Sequence, residues 1–237
     1  MRSSCIAFMT TVCLCAPAMG ITYSGRLDNF RDGGLSGTGK WIDKRSKLTW
    51  TVSTPDDPAD PKFGVWTYQY TLKVKRGGIS HFDIEVSPTF VAADILSWCG
   101  PGELVGPEFL SSANGNPNMP EGFWGIKWDD IPDDILKGNF SVETRKQPVW
   151  GDFYSKDGKA GGTINTLWNT GLPMEDPIAD IGDGSVNYHL LVPDTQEAPG
   201  PNPVPEPLTG GAVLMSMGGL LAYVRRRLRA RTNALDA

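Results

Sequence analysis

The sequence predicts an all-β chain: an antiparallel β-sandwich ectodomain over 21–193, then a Pro-rich linker and one C-terminal transmembrane helix. Three observations carry this. Apolar and polar residues alternate in short runs, clusters of Gly, Pro, Asp and Asn separate those runs, and hardly any stretch repeats at 3.6 residues. Alternation at period two marks a half-buried strand, and many short strands between frequent turns mark stacked antiparallel sheets.

In chain order, Met1-Arg2 supplies a positive charge and 5–15 a mostly apolar run. Small residues then lead to a cleavage point after Ala18 or Gly20. This has the layout of a secretory signal peptide over 1–20. The clearest unit downstream is 66–74 followed by 79–86. Large apolar residues take every second place in both, and Lys75-Arg76-Gly77-Gly78 lies between them. Two alternating runs around a Gly-Gly pair predict a β-hairpin. Shorter strands are expected at 21–27, 39–43, 47–53, 123–128, 139–144, 149–154 and 186–192, and a turn or two of helix at 90–98.

Composition narrows the rest. Of the 22 Lys+Arg, Arg2 and five arginines near the C-terminus lie in the terminal segments, whereas of the 27 Asp+Glu only Asp236 does, so the chain between them carries about −10 rather than the overall −5. Nucleic acid is a poor partner for such a surface, since binding it requires a basic face. Cys5, Cys13 and Cys15 belong to the signal peptide, so Cys99 is left alone and no intramolecular disulfide is available. Stability must come from a packed core, which about 170 residues can build. The eight tryptophans fall mostly on or beside the predicted strands and read as core packing.

Candidate chemistry is sparse. His81, Asp83 and Glu85 share one face of a strand, spaced at roughly 6.5–7 Å, and read as its solvated side. Asp176, Asp180 and Asp183 lie in one acidic loop, Asp152 and Asp157 in another. Neither loop has the spacing of an EF-hand or a glycine-rich Asp repeat, so no metal ligand and no cofactor is assigned. Cys99 has no paired base nearby and reads as a half-buried structural thiol. No nucleophile elbow, His-Glu-x-x-His or phosphate-cradling loop is present, so no catalytic residue is assigned and the expectation is a non-enzymatic protein.

Beyond the predicted sandwich, 194–203 is rich in proline and reads as a semi-rigid spacer. Pro205-Glu206-Pro207 follows, then an uncharged apolar run over 208–224, then Arg225, Arg226, Arg227, Arg229 and Arg231, with 232–237 as a short tail. A helix of that apolar length covers roughly 25 Å, enough to cross a bilayer core, and the arginines would hold its end on the cytoplasmic side. Two prolines lacking amide donors keep the lead-in extended, as a peptide-cleaving enzyme requires.

This order of motif, span and basic stop resembles the PEP-CTERM sorting signal of exported bacterial envelope proteins. The resemblance implies that 204–231 is the sorting signal, with Pro205, Glu206 and Pro207 as the motif and the five arginines as the membrane stop. It implies an exosortase-like membrane enzyme as partner, a transient stay in the inner membrane, and release to the cell surface or to an exopolysaccharide matrix. The stretch Trp150-Gly151-Asp152-Phe153-Tyr154, ahead of Lys156-Asp157-Gly158, is similar to one in exported PEP-CTERM proteins of unassigned activity, and implies no reaction. The alternatives are a carbohydrate-binding module acting on exopolysaccharide, a secreted hydrolase using two carboxylates, and a permanently anchored single-pass protein.

Overall fold

The computed structural model describes residues 20–29, 33–42, 45–132, 134–158 and 164–193. The expected signal peptide up to residue 19, the expected linker and the whole expected sorting signal lie outside the described residues. That includes Pro205, Glu206 and Pro207, the span 208–224, and Arg225, Arg226, Arg227, Arg229 and Arg231.

The described chain is all-β with antiparallel sheets. Its strands in order are β1 (Ile21–Asp28), β2 (Leu35–Thr38), β3 (Lys47–Thr54), β4 (Trp66–Lys73), β5 (Ile79–Glu85), β6 (Ser97–Cys99), β7 (Glu103–Leu110), β8 (Phe123–Asp129), β9 (Lys137–Thr144), β10 (Pro148–Gly151), β11 (Phe153–Asp157), β12 (Thr166–Asn169) and β13 (Leu190–Pro193). One sheet has five strands in the order β1-β3-β4-β9-β6, a second has six in the order β2-β12-β11-β5-β8-β7, and β10 pairs with β13.

Alternation builds the core. In β3, Leu48, Trp50, Val52 and Thr54 are buried and the residues between them are not. Registers place Trp50 beside Tyr70 and Tyr70 beside Phe140, so one face of the five-stranded sheet is a continuous apolar layer. The six-stranded sheet presents Phe82, Ile84, Ile126, Trp128 and Phe153 to the same core. Phe82 is its centre: its ring lies 4.3 Å from Phe140, 5.8 Å from Tyr70, and 5.9 Å from both Trp128 and Phe153. Offset and edge-on aromatic pairs at such distances add to the roughly 1.5–3 kcal/mol gained by burying each large side chain. Of the eight tryptophans only Trp98 is exposed, as expected for a core role.

The predicted hairpin over 66–86 does not form. β4 pairs with β3 and β9, whereas β5 pairs with β11 and β8, so the chain arches from one sheet to the other between them. Val74 and Ile79 each donate a backbone hydrogen bond to the 135–136 segment instead of to each other, and Gly77 takes φ +64° within the connection. The physical reason is visible in Tyr70 and Phe82. Both strands bury an aromatic face, and those faces meet across the core rather than along one sheet.

Other expectations shift in detail. The run 149–154 divides at Asp152, where the chain passes from the pair with β13 to the pair with β5. The segment 39–43 is a 3-10 turn, Gly39–Ile42, after a strand. Segment 90–98 yields one 3-10 turn, Ala92–Asp94, and the start of β6. In 186–192, residues 186–189 form a tight turn before β13.

The two sheets differ on their outer sides. That of the five-stranded sheet is polar, with Thr49, Thr51, Gln69, Thr71, Asn139 and Ser141. That of the six-stranded sheet is covered by a second cluster, in which Leu110, Met119, Phe123, Tyr154 and Leu172 pack with Trp168. At the free side of β1, Ser24 N–H donates to Asp183 Oδ1 at 2.7 Å and Gly184 N–H donates to the Ser24 carbonyl at 2.8 Å. In β7 a bulge between Val105 and Glu108 interrupts the ladder.

Candidate metal centre

The sheet registers assemble the site. β10 and β13 pair up to Gly151–Leu190, so the next residues in the ladder, Asp152 and His189, face each other. On its other side Asp152 neighbours Glu85, one step beyond the Phe153–Ile84 pair. Glu85 N–H donates to the Asp152 carbonyl at 2.9 Å, and Asp152 N–H donates to Glu85 Oε2 at 3.0 Å. Asp176 arrives from the loop that follows the turn Met174 N–H to Gly171 carbonyl. One potential ligand atom from each of Asp152, Asp176 and His189 lies within 4.8 Å of the other two.

His189 is fully buried. Its Nδ1 faces the Val186 carbonyl at 3.3 Å, and a carbonyl can only accept, so Nδ1 carries the proton. Nε2 therefore presents a lone pair. It has no hydrogen-bond partner among the described residues, and it points between Asp152 Oδ1 at 3.4 Å and Asp176 Oδ1 at 3.5 Å. Burial holds the imidazole below its ordinary pKa, against the opposite pull of carbonyls of Val186, Met174 and Asn187, so the ring is neutral at neutral pH.

The acids crowd one another, and among the described residues no cation contributes to their shifts. Burial, then Asp176 and Asp152, pushes Glu85 up to about 9. Burial raises Asp152 to about 8, opposed by the hydrogen bond from Asn169. Asp176 rises to about 6 through burial and the charges of Glu121 and Glu175. Asn169 fixes Asp152: its Nδ2 donates to Asp152 Oδ1 while its Oδ1 accepts from Phe153 N–H at 3.0 Å.

Backbone geometry holds the ring in place. His189 closes the turn 186–189, with Asn187 at φ 48° and Tyr188 at φ 66°, a pair of left-handed residues that a bulky Tyr adopts only under constraint. Gly171 runs against the imidazole. A Cβ there would lie 2.7 Å from His189 Cε1 and 2.8 Å from Nδ1. Beside the site is a cavity of about 150 Å³ lined by Glu85, Pro88, Trp124, Val149, Trp150 and Asp176 among others.

The sequence-derived candidates divide. Asp152 and Asp176 come together, although they belong to separate predicted loops. Asp157 instead accepts from both Asn165 N–H, at 2.8 Å, and Asn165 Nδ2. Asp183 holds Ser24, and Asp180 is exposed. The expectation of a solvated face for His81, Asp83 and Glu85 is overturned: His81 and Asp83 are buried because the second apolar cluster covers that side of the sheet. Among the described residues Asp83 has no hydrogen-bond partner on either oxygen; His81 lies 3.8 Å from both Asp83 and Asp129. Cys99 is free and exposed on the short edge strand β6 rather than half-buried. His189, which completes the cluster, was not singled out from sequence. Its signal was a lone polar residue abutting the apolar run Leu190-Leu191-Val192, as Asp152 abuts Val149-Trp150-Gly151.

No family model, curated protein or solved structure matches this chain. Among the described residues no helix is long and apolar enough to cross a membrane.

Proposed function

We propose that the chain is an exported, non-enzymatic envelope protein: an antiparallel β-sandwich ectodomain carried through the inner membrane and sorted by its C-terminal PEP-CTERM signal. The observation that carries this reading is the order Pro205-Glu206-Pro207, apolar span 208–224, and Arg225, Arg226, Arg227, Arg229 and Arg231. An exosortase-like enzyme would grip the extended motif while the span holds it at the membrane, and cleavage would release the acidic domain to the surface or the exopolysaccharide. The sandwich description is supported by the aromatic contacts joining the two larger sheets, and the spacer role of 194–203 by its position just after β13.

Mass spectrometry of the mature protein from its native host tests this. The expected C-terminus lies upstream of the arginines, and changing Pro205, Glu206 and Pro207 to alanine should leave the tail attached. A mature wild-type chain that keeps Arg225 to Arg231 would overturn sorting and establish a permanent anchor.

A further inference from the structure

We propose that Asp152, Asp176 and His189 form a binding site for a single zinc ion, whose fourth ligand is water. The proposal stands apart from the export reading, since it rests on the folded domain alone.

Two features point to a cation. Three lone-pair donors converge, and one of them is the unpartnered Nε2 of a fully buried neutral imidazole aimed at two carboxylate oxygens. Lone pairs facing each other repel; a proton can relieve one such pair, whereas a metal ion turns all three donors into an attraction at once. Two outer partners already hold the donors in ligating orientation. The Val186 carbonyl fixes the His189 tautomer, and Asn169 fixes the Asp152 carboxylate, as metal sites require of their surroundings.

Spacing and donor type together favour zinc. With metal–nitrogen and metal–oxygen bonds near 2.0–2.2 Å, the edge of a zinc tetrahedron is about 3.3–3.5 Å. His189 Nε2 stands 3.4 Å and 3.5 Å from the two acid oxygens. Calcium takes six to eight oxygens at about 2.3–2.6 Å and has little use for an imidazole, and octahedral magnesium would draw its ligands to edges of about 2.9 Å. An imidazole donor suits zinc, copper, iron and nickel rather than calcium, magnesium or manganese, and a near-tetrahedral spacing with nitrogen and oxygen donors favours zinc among them. Asp176 keeps 45% of its side chain exposed, which leaves the fourth position open to water.

The consequence is mechanical. Asp152 directly follows β10 and His189 directly precedes β13, at the end of the β10–β13 ladder, whereas Asp176 lies 14 residues from the start of β13, within the long connection from β12. An ion bound by all three would pin that connection to the ladder, a cross-link in a domain whose only cysteine, Cys99, is free.

The test uses the full chain purified in detergent without a histidine tag, stripped with a chelator and titrated separately with ZnCl₂, MnCl₂ and CaCl₂. The expected result is one zinc per chain, bound more tightly than manganese or calcium, with a rise in melting temperature on zinc addition. Asp176→Asn should weaken zinc by more than the roughly 10–100-fold that loss of an outer partner costs. It should also abolish the zinc-dependent rise while melting like the wild type in chelator. Asp180→Asn, in the same loop, should leave binding unchanged. His189→Gln should lose zinc as well; if that buried substitution unfolds the domain, Asp176→Asn still decides. Zinc binding that survives Asp176→Asn, a preference for calcium or manganese, or no stoichiometric zinc would overturn the proposal.

Discussion

Phe82→Ala should be among the most damaging single changes in the domain. The ring is completely buried and touches four other aromatic rings drawn from both larger sheets, the closest stacked at 4.3 Å. Truncating a buried Phe removes its transfer free energy and leaves a cavity, together about 3–5 kcal/mol. Stability of a domain is typically about 5–15 kcal/mol, so the loss would be about a fifth of it at the least and nearly all of it at the most. With a urea slope of about 2 kcal/mol per molar, a 4 kcal/mol loss moves the midpoint down by roughly 2 M. Tryptophan fluorescence reports this directly, since buried Trp128 packs on the same ring. Phe109→Ala, at an edge-strand site 52% exposed, is the control and should stay within about 0.5 kcal/mol. A Phe82→Ala loss below 1 kcal/mol, or one no larger than that of Phe109→Ala, would show that the two sheets do not share this core.

Gly171→Ala should displace the His189 imidazole, because its new methyl would collide with the ring, and zinc affinity measured by titration should fall by roughly tenfold or more. Cys99 should react with iodoacetamide in the folded protein without denaturant, and a thiol that reacts only in urea would contradict its placement on β6. The buried pair His81 and Asp83 makes a pH prediction. Burial, aided by Lys156 and Lys127, lowers His81 to about 3, while burial raises Asp83 well above its ordinary value. Alone, the lowered histidine gives stability that is present above pH 6.5 and lost as pH falls toward 3; the raised acid gives stability present below about 3.8 and lost as pH rises. Between about pH 4 and 6.5 the folded and unfolded pairs therefore hold equal numbers of protons, and their contributions cancel. Asp83→Asn removes one side of that balance. Relative to wild type, the variant's urea stability should fall on acidification across this window by up to about 1.4 kcal/mol per pH unit, and parallel pH profiles would refute the assignment.

Strand positions were legible because alternation records which residues are buried. β3, β4, β5, β8 and β9 lie close to their expected bounds, and Trp41, Trp50, Trp128 and Trp150 are in the core. Pairing was not legible. Period two says that Tyr70 and Phe82 each face a core, but not that they face each other across it, so an arch reads like a hairpin. The same limit hid the ligand cluster. Asp152, Asp176 and His189 share no local spacing, and only the β10–β13 register brings Asp152 opposite His189. Likewise β7 and β12 escaped notice, because Gly106 and Pro107 interrupt one and the other is only four residues long.

The long connection between β12 and β13 also bears on how one molecule behaves beside another. An uncovered strand margin is an invitation to sheet extension between molecules, and β1 and β7, with eight residues each, are the longest margins of the two larger sheets. Asp183 and Gly184 occupy the backbone of Ser24 midway along β1, leaving no unbroken row to which a foreign strand could add. At the far rim of the six-stranded sheet, the kink in β7 divides the ladder into two three-residue pieces, and β2 and β6 are short. Every rim of the two larger sheets is therefore cut short or obstructed, which lets many copies crowd together without fusing into a common sheet.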